Sequence, residues 1–383
     1  MKRWISWMLL AVLLCLPILS HAEAGGFVVE DDEDEPSPDS RRQAWALMRL
    51  MTEEEKIGQL FFVSLEDLTG EARSVSVPAV ALSKHPVGGV MLFGQNIETE
   101  AQLLKLTQAL RAQAAQNHLF PLFIGVEEEG GVMSRVANKL GYEFAPSPEE
   151  IGAAGDEQLA RRTGEEIAGY LAPLGINLTF APPADTVIDR VAVGVQTYGE
   201  DPALVSRLSR AMAQGLEGGG VAACFTHFPG HGEKTGNSLS SLSVRRTVEE
   251  MRALEFIPFA DAIAEEADMI LVSNAIVRSV GDDMPASTSN QVINGLLRGE
   301  LGYDGVVATD SLRMSAVTSS YKKGQEAVAA LKAGADILLL PPDLDAALQA
   351  VRRALDTGEL TMERIEQSVE RILALKIRMG WIQ

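Results

Sequence analysis

The segment THFPGHGEKTGNSLSSL, at 226–242, contains two of the five histidines in the chain and a Pro-Gly turn. His227 and His231 are four residues apart, a spacing that binds metal when both imidazoles lie on one face of a helix. Phe-Pro-Gly separates them, however, and Pro-Gly forms a turn rather than a helix interior. The segment therefore favours a polar loop that faces a substrate over a metal site. Two structurally satisfied histidines remain the alternative.

Two carboxylates that follow apolar runs could also do chemistry. Asp310 comes directly after GVVAT and could be a nucleophile toward a sugar carbon or a general base, or it could only cap the helix that starts near Ser311. Glu127 begins a run of three glutamates after PLFIGV. Adjacent acids usually form a solvated face, but the first residue after a buried strand can point into a ligand site. The residues alone leave both alternatives open.

Short apolar runs alternate with longer helical segments from residue 44 onward, and this alternation predicts parallel βα units. Eight units in about 300 residues favour a closed barrel over an open sheet. We therefore predict an α/β fold, a single (β/α)8 barrel of the TIM type, over 44–383. The predicted strands are 61–65, 88–93, 121–127, 176–182, 220–225, 268–273, 305–310 and 335–341.

Such a barrel carries its chemistry at the carboxyl ends of its strands, so residues just after the runs become candidate site residues. These residues combine acids, histidines and an amide, and all would lie on one rim of the barrel. They are Glu127, Asp185, His227, His231, Asn274 and Asp310.

The first residues predict export. Lys2 and Arg3 precede an apolar stretch that is too short to span a membrane comfortably, and small residues follow it. We predict a signal peptide over 1–24, cleaved after Ala22 or Ala24, and a periplasmic or extracellular location with no membrane span in the mature chain. The run of acids and prolines within 25–43 predicts a disordered linker.

Composition narrows the classes of partner. The formal net charge of −20 argues against nucleic acid and against an anionic membrane surface. After removal of the signal peptide Cys224 is the only cysteine, so no internal disulfide can form. Its apolar surroundings in GVAACF predict a buried small side chain rather than a reactive thiol.

Several segments together resemble family 3 glycoside hydrolases, particularly the single-domain β-N-acetylhexosaminidase branch that trims peptidoglycan fragments. The resemblance covers roughly residues 45–380 and rests above all on GVAACFTHFPGHG followed by GYDGVVATDSLRM. It implies a retaining glycosidase on a (β/α)8 barrel, with Asp310 as nucleophile and with a carbohydrate or a peptidoglycan fragment as ligand. Arg135, Asp185, His227 and His231 match the family, and no cofactor or metal is implied.

The sequence departs from this family where the proton donor should lie. The resemblance implies an Asp-Ser-His acid/base triplet after HFPGHG, but the chain has Asn237, Ser238 and Leu239. Leucine cannot carry a proton, and asparagine is no carboxylate. Further positions differ in residues that would contact the sugar: Thr226 for lysine, Val132 for arginine, Val195-Gln196 for aspartate-arginine, Asn274 for histidine, and Glu127 for aspartate.

Three hypotheses follow. In the first, the chain is an active glycosidase in which Asp310 is the nucleophile and Glu233 or His231 replaces the missing donor. In the second, it is an impaired or inactive family member that binds a glycan, a muropeptide or an envelope protein. The third is a metal-dependent barrel hydrolase. Turnover of aryl glycosides distinguishes the first two.

Overall fold

Short buried strands form the centre of the fold. The computed structural model describes residues 38–382 apart from 72–73, 79, 118–119, 188–195, 232–233, 236–242 and 245. The strands are β1 Phe61–Ser64, β2 Gly89–Met91, β3 Phe123–Val126, β4 Leu178–Thr179, β5 Ala222–Phe228, β6 Lys234–Thr235, β7 Ser243–Val244, β8 Met269–Val272, β9 Ile276–Val277, β10 Val306–Thr309 and β11 Leu338–Leu339. Each of the eight predicted apolar runs overlaps one strand of the large sheet, and seven contain it fully; β5 continues to Phe228, beyond the predicted run 220–225.

The large sheet is parallel and closes on itself. Its strand order is β10-β8-β5-β4-β3-β2-β1-β11. A parallel bridge between Ala308 and Ile337, and a bond from the Thr309 amide to the Ile337 carbonyl (2.9 Å), join its two ends. The predicted (β/α)8 barrel is confirmed. Its strands are apolar on both faces because one face packs inside the barrel and the other against helices.

Helices surround the barrel. They cover Pro38–Met48, Glu53–Gln59, Leu65–Thr69, Ala81–Lys84, Glu100–Gln116, Arg135–Leu140, Pro148–Ala154, Glu157–Leu171, Pro202–Gly218, Val248–Arg252, Phe256–Ala264, Ser315–Thr318, Gln325–Ala333, Leu344–Asp356 and Met362–Arg378, with a π-helix over Gln291–Glu300 and short 3₁₀ turns at Gly94–Asn96, Arg278–Val280 and Ala286–Thr288. None of the helices within the described ranges is long and apolar enough to cross a membrane.

The first described helix begins inside the segment predicted as linker. It covers Pro38–Met48, so the predicted linker boundary at 43 is wrong for 38–43. Ala44 and Met48 are buried, and Arg41 forms an ion pair with Asp304 (2.6 Å). The two buried apolar residues of this helix are four positions apart, which is a helical spacing. The acidic run that precedes them favoured a disordered linker instead. The signal peptide and residues 25–37 lie outside the described part and stay predictions.

A small second sheet is formed by three two-residue strands that follow His227 in the chain. β6 pairs with β7 in antiparallel fashion, and β7 pairs with β9 in parallel. The eight-strand prediction did not include it, because two-residue strands give no periodic signal. Cys224, within β5, is fully buried as predicted.

A buried lysine lies at the opposite end of the barrel from the candidate site. The Lys376 ammonium donates to the Gln59 side-chain oxygen (2.8 Å) and lies 4.7 Å from the centre of the Phe123 ring. Burial lowers the pKa of Lys376 to about 7. In the unfolded chain a lysine titrates near 10.4. Between these two values the unfolded state binds more protons, so this residue makes stability rise with pH.

We expect Lys376→Met to remove that rise. The free energy of unfolding of the wild type should increase relative to the variant by up to about 1.4 kcal/mol per pH unit above pH 7. Urea unfolding of both proteins at pH 7, 8 and 9 measures this difference, and every other titrating group is common to both. Parallel pH profiles would contradict a buried, easily deprotonated lysine.

Candidate active site

A buried carboxylate with two histidines forms the centre of the barrel mouth. His227 lies in β5, and Asp185 follows β4, whose extension pairs with β5 through a parallel bridge from Pro183 to Thr226. This pairing brings Asp185 beside both imidazoles. Its Oδ2 lies 2.7 Å from His227 Nδ1, and its Oδ1 accepts the His231 amide at 2.8 Å and lies 3.2 Å from His231 Nδ1.

The charges in this cluster stabilise one another. Burial alone would raise the pKa of Asp185, but His231 and His227 lower it well below its usual range. Burial alone would likewise lower the pKa of His227, but the Asp185 carboxylate, its hydrogen bond, and Asp310 raise it to about 9. His227 is therefore an imidazolium at neutral pH. The side chains differ in access: that of His227 is 22% exposed, that of His231 5% and that of Asp185 0%.

A carboxylate and two imidazoles are groups that commonly bind a metal ion. The candidate ligand atoms of Asp185, His227 and His231 lie within 4.8 Å of one another. A metal requires neutral imidazoles, however, and His227 is protonated and bonded to Asp185. The arrangement therefore fits a hydrogen-bonded charge cluster. The absence of a metal stays a prediction.

Asp310 follows β10 on the same rim and is partly buried. Its Oδ1 accepts the Ser311 amide at 2.6 Å. Burial raises the pKa of Asp310, whereas His227, the Ser311 amide and His231 oppose the rise. This bond to Ser311 is a contact within a turn and not a helix cap, because the next helix begins at Ser315 with Met314 as its N-cap residue; the capping alternative is therefore wrong. The bond occupies one oxygen, and the charge of His227 favours the ionised form that a nucleophile requires.

Asn274 is buried and holds the turn after Asp310. Its side-chain amide donates to the Ser311 carbonyl (2.8 Å) and contacts the Met314 sulfur (3.3 Å), while its oxygen accepts the Ser287 hydroxyl (2.5 Å). These bonds hold Ser311, whose backbone amide donates to the Asp310 carboxylate. The predicted contact between Asn274 and substrate stays a prediction.

Glu127 and Arg135 lie on the rim after β3 and form an ion pair. The Glu127 Oε2 accepts from Arg135 Nη2 at 2.7 Å and from Nε at 3.2 Å. Both side chains are partly exposed, 34% and 39%. They can therefore reach a ligand without leaving the barrel wall. This position agrees with the predicted binding role, which itself stays a prediction.

The next two glutamates are buried rather than solvated. Glu128 accepts the amides of Val136 and Ala137 (2.7 and 3.0 Å) and the Tyr170 hydroxyl (2.8 Å), so it caps the helix that begins at Arg135. Burial raises the pKa of Glu129 to about 8, although the charge of His227 opposes this. Sequence reasoning missed Glu129, because a run of three acids resembles a solvated face. The Gly-Gly turn that follows was the sequence feature that could have indicated a buried position for Glu129.

Comparison with known proteins identifies the architecture. A family model described as "Glycosyl hydrolase family 3 N terminal domain" matches residues 52–375. The chain belongs to glycosyl hydrolase family 3. A β-hexosaminidase of Stenotrophomonas maltophilia strain R551-3 is 35% identical over 73% of this chain and 84% of its own length. β-Hexosaminidase LpqI of Mycobacterium bovis is 29% identical over 89% and 87%.

Solved structures agree with this family. The structure of a glycoside hydrolase family 3 β-N-acetylglucosaminidase from Paenibacillus sp. strain FPU-7 superposes with a TM-score of 0.80 at 36% identity, over 86% of this chain. The chain spans 63% of that protein and 62% of the β-hexosaminidase A of Pseudoalteromonas piscicida, to which it is 29% identical. It spans 96% of Mycobacterium tuberculosis LpqI, with a TM-score of 0.77 at 27% identity.

Two of the departures from the family pattern are visible at the mouth. Among the described residues, the buried Thr226 hydroxyl, where the family has lysine, has no hydrogen-bond partner. Val132, where the family has arginine, is 76% exposed. Both positions therefore lack a cation that could bind a sugar. Glu233 and the replaced triplet 237–239 lie outside the described residues, so their predicted roles are not tested.

We expect Glu129→Gln to change the pH dependence of stability. The folded pKa of Glu129, about 8, lies above its unfolded value, so the folded state binds more protons between these values and stability falls as pH rises through this range. The variant should gain stability relative to the wild type, by at most about 1.4 kcal/mol per pH unit from pH 5 to 8. Urea unfolding at pH 5, 6.5 and 8 tests this, and an unchanged difference between the two proteins would refute it.

Proposed function

We propose that the protein is an exported retaining glycosidase that hydrolyses β-linked N-acetylated amino sugars, with Asp310 as nucleophile. The single observation that carries the proposal is the position of Asp310, partly buried at the barrel mouth beside the Asp185–His227 pair. Family membership and the names of its β-hexosaminidase relatives support the class of substrate.

Each residue on the rim has its own role in the proposed reaction. An Asp310 oxygen attacks the anomeric carbon and the bond to the leaving oxygen breaks, which gives a covalent glycosyl-enzyme intermediate. The imidazolium of His227 opposes the rise in the pKa of Asp310 that burial causes, and so favours the carboxylate that attacks. Glu127 and Arg135 are partly exposed charged groups on the rim that can bind sugar hydroxyls, whereas Asp185 is completely buried and acts through the two histidines. A water molecule then attacks the anomeric carbon and releases Asp310 as a carboxylate.

The ligand class is a carbohydrate, and a peptidoglycan fragment is the natural example for an exported protein of this branch. Export rests on the segment 1–24, with its basic start, apolar stretch and small residues. Expression of the full chain in a bacterial host, followed by N-terminal sequencing of the periplasmic fraction, tests it. A start at Glu23 or Gly25 supports cleavage after Ala22 or Ala24. Recovery of the intact chain in the cytosol contradicts it.

The activity is tested with 4-nitrophenyl N-acetyl-β-glucosaminide, with the matching β-glucoside as a substrate control. We expect turnover of the first, and the β-anomer as the first product in proton NMR because the mechanism retains configuration. First formation of the α-anomer would exclude Asp310 as a nucleophile. Absence of turnover across a panel of aryl glycosides would exclude the enzyme.

The alternative is an inactive family member that binds a glycan, a muropeptide or an envelope protein. The observations in its favour are the unpartnered Thr226 hydroxyl and the exposed Val132, because both positions lack the cations of the family pattern. A hydrogen bond to a charged group contributes about 1.5–3 kcal/mol. Calorimetric binding of N-acetylglucosamine without any turnover would support this alternative.

A further inference from the structure

A retaining glycosidase needs a group that protonates the departing oxygen and later deprotonates water. The positions that carry this group in the family pattern are Asn237 and Leu239 in this chain, and neither side chain can do it. The proton donor must therefore come from another residue at the mouth. The described part of the mouth offers a small number of titratable side chains for comparison.

Three of these side chains are either buried or engaged in hydrogen bonds with other residues. His231 is only 5% exposed, and both its amide and its Nδ1 face Asp185. Glu127 receives two hydrogen bonds from Arg135, both on its Oε2 atom. Glu129 is 8% exposed and lies deeper in the loop after β3. A proton donor needs a side chain that is fixed in orientation and an accessible atom that carries the proton. None of the three side chains has both properties.

His227 combines both properties. Its Nδ1 is held at 2.7 Å by a carboxylate that is completely buried, so the ring orientation is fixed and Nε2 is the nitrogen left for exchange with a ligand. The side chain is 22% exposed, more than that of either partner in the cluster. A buried carboxylate that orients an imidazole is the arrangement in which histidine takes and returns protons in hydrolases.

His227 and Asp310 also lie close enough to influence each other. The Asp310 carboxylate helps to raise the pKa of His227, and His227 helps to lower that of Asp310. The Asp185 and Asp310 carboxylates raise the pKa of the imidazole and keep it protonated through neutral pH. The positive charge of the imidazole favours the carboxylate form of the nucleophile, and the imidazole itself carries the proton that the first chemical step requires.

We propose that His227, oriented by Asp185, is the general acid and base of this site, which rests on the proposed glycosidase function. As an Asp310 oxygen bonds to the anomeric carbon, the bond to the leaving oxygen breaks and the Nε2 proton passes to that oxygen. His227 is then neutral. In the second step Nε2 takes a proton from water, the water oxygen bonds to the anomeric carbon, and Asp310 departs as a carboxylate. Both residues return to their starting state.

The test compares substrates that differ only in the leaving group. Wild type and His227→Gln are assayed for kcat/KM with 2,4-dinitrophenyl N-acetyl-β-glucosaminide, whose leaving group needs no proton, and with the methyl N-acetyl-β-glucosaminide, whose leaving group does. We expect the variant to lose on the order of 10²–10⁴-fold on the methyl glycoside and much less on the dinitrophenyl glycoside. Added azide should restore turnover of the dinitrophenyl substrate and give a β-glycosyl azide, because azide needs no general base.

His231→Gln is the matched comparison, since it changes the other imidazole on the same carboxylate. Its loss should be equal for both leaving groups. Equal losses in His227→Gln as well would overturn the proposal and leave His227 a positioning residue. If His227→Gln does not fold by circular dichroism, His227→Asn is used, with the same two substrates. Failure of the proposed function is distinct, because then the wild type turns over neither substrate, or Asp310→Ala retains full activity.

Discussion

Asp310→Ala should reduce kcat/KM for 4-nitrophenyl N-acetyl-β-glucosaminide by at least about 10⁴-fold, since loss of the nucleophile removes the covalent route itself. The residue is suited to this role by position. It lies at the end of β10 on the rim that carries Asp185 and His227, and the positive charge of His227 opposes the rise in its pKa that burial causes. The loss should be equal for good and poor leaving groups.

Asp345→Ala is the control, because Asp345 is a 64% exposed carboxylate on the outer helix Leu344–Asp356. Its activity should equal that of the wild type. Trapping with a 2-deoxy-2-fluoro or 5-fluoro glycosyl fluoride, followed by mass spectrometry, gives independent evidence. We expect the label on the peptide that contains Asp310. A label on Glu127, or full activity of Asp310→Ala, would assign the nucleophile elsewhere.

Asp185→Ala should destabilise the fold by about 3–5 kcal/mol at pH 7, because it leaves the His227 imidazolium without its carboxylate partner. Asp185 is completely buried and contacts both histidines. The raised pKa of His227, about 9, means that this contribution is complete below the unfolded histidine value and is lost as pH rises through 9. The difference between wild type and variant should therefore shrink between about pH 6.5 and 9 and stay constant above pH 9.

Urea unfolding at pH 6, 7.5 and 9.5 measures this difference. Asp185→Asn is the informative companion, since it keeps an acceptor for His231 and removes only the charge, and its loss should be smaller. NMR titration gives a second readout: the pKa of His227 should fall in both variants, while that of the distant His85 should not change. A difference in stability that does not depend on pH would show that Asp185 acts by packing alone.

The barrel could be predicted from the sequence because each strand is buried on both faces. Runs such as GVVAT and PLFIGV must be apolar throughout when helices cover one side and the barrel interior the other, so they stand out from the amphipathic helices between them. The capping box of Thr52 and Glu55, and Asp201 before Pro202, were readable for a similar reason. Each depends on contacts between residues at most three positions apart.

Residues 38–43 and Glu129 show where this local logic fails. Both belong to acidic stretches, and composition alone predicts solvation for such stretches. Helix Pro38–Met48 is held instead by burial of Ala44 and Met48, and Glu129 is buried beside the cluster of Asp185 and His227. Burial of a charged side chain depends on neighbours far away along the chain, and no local pattern records them.

The sequence by itself determined the barrel, the rim on which chemistry occurs and the short set of side chains that follow the strands. Only the tertiary structure decided how they are used: Asp185 binds His227 and His231, Asn274 holds the peptide after Asp310, and Glu128 caps a helix. The physical reason is that residue type and period fix which face of a strand is buried. Hydrogen bonds and pKa values depend instead on distances between strands that are separated by scores of residues.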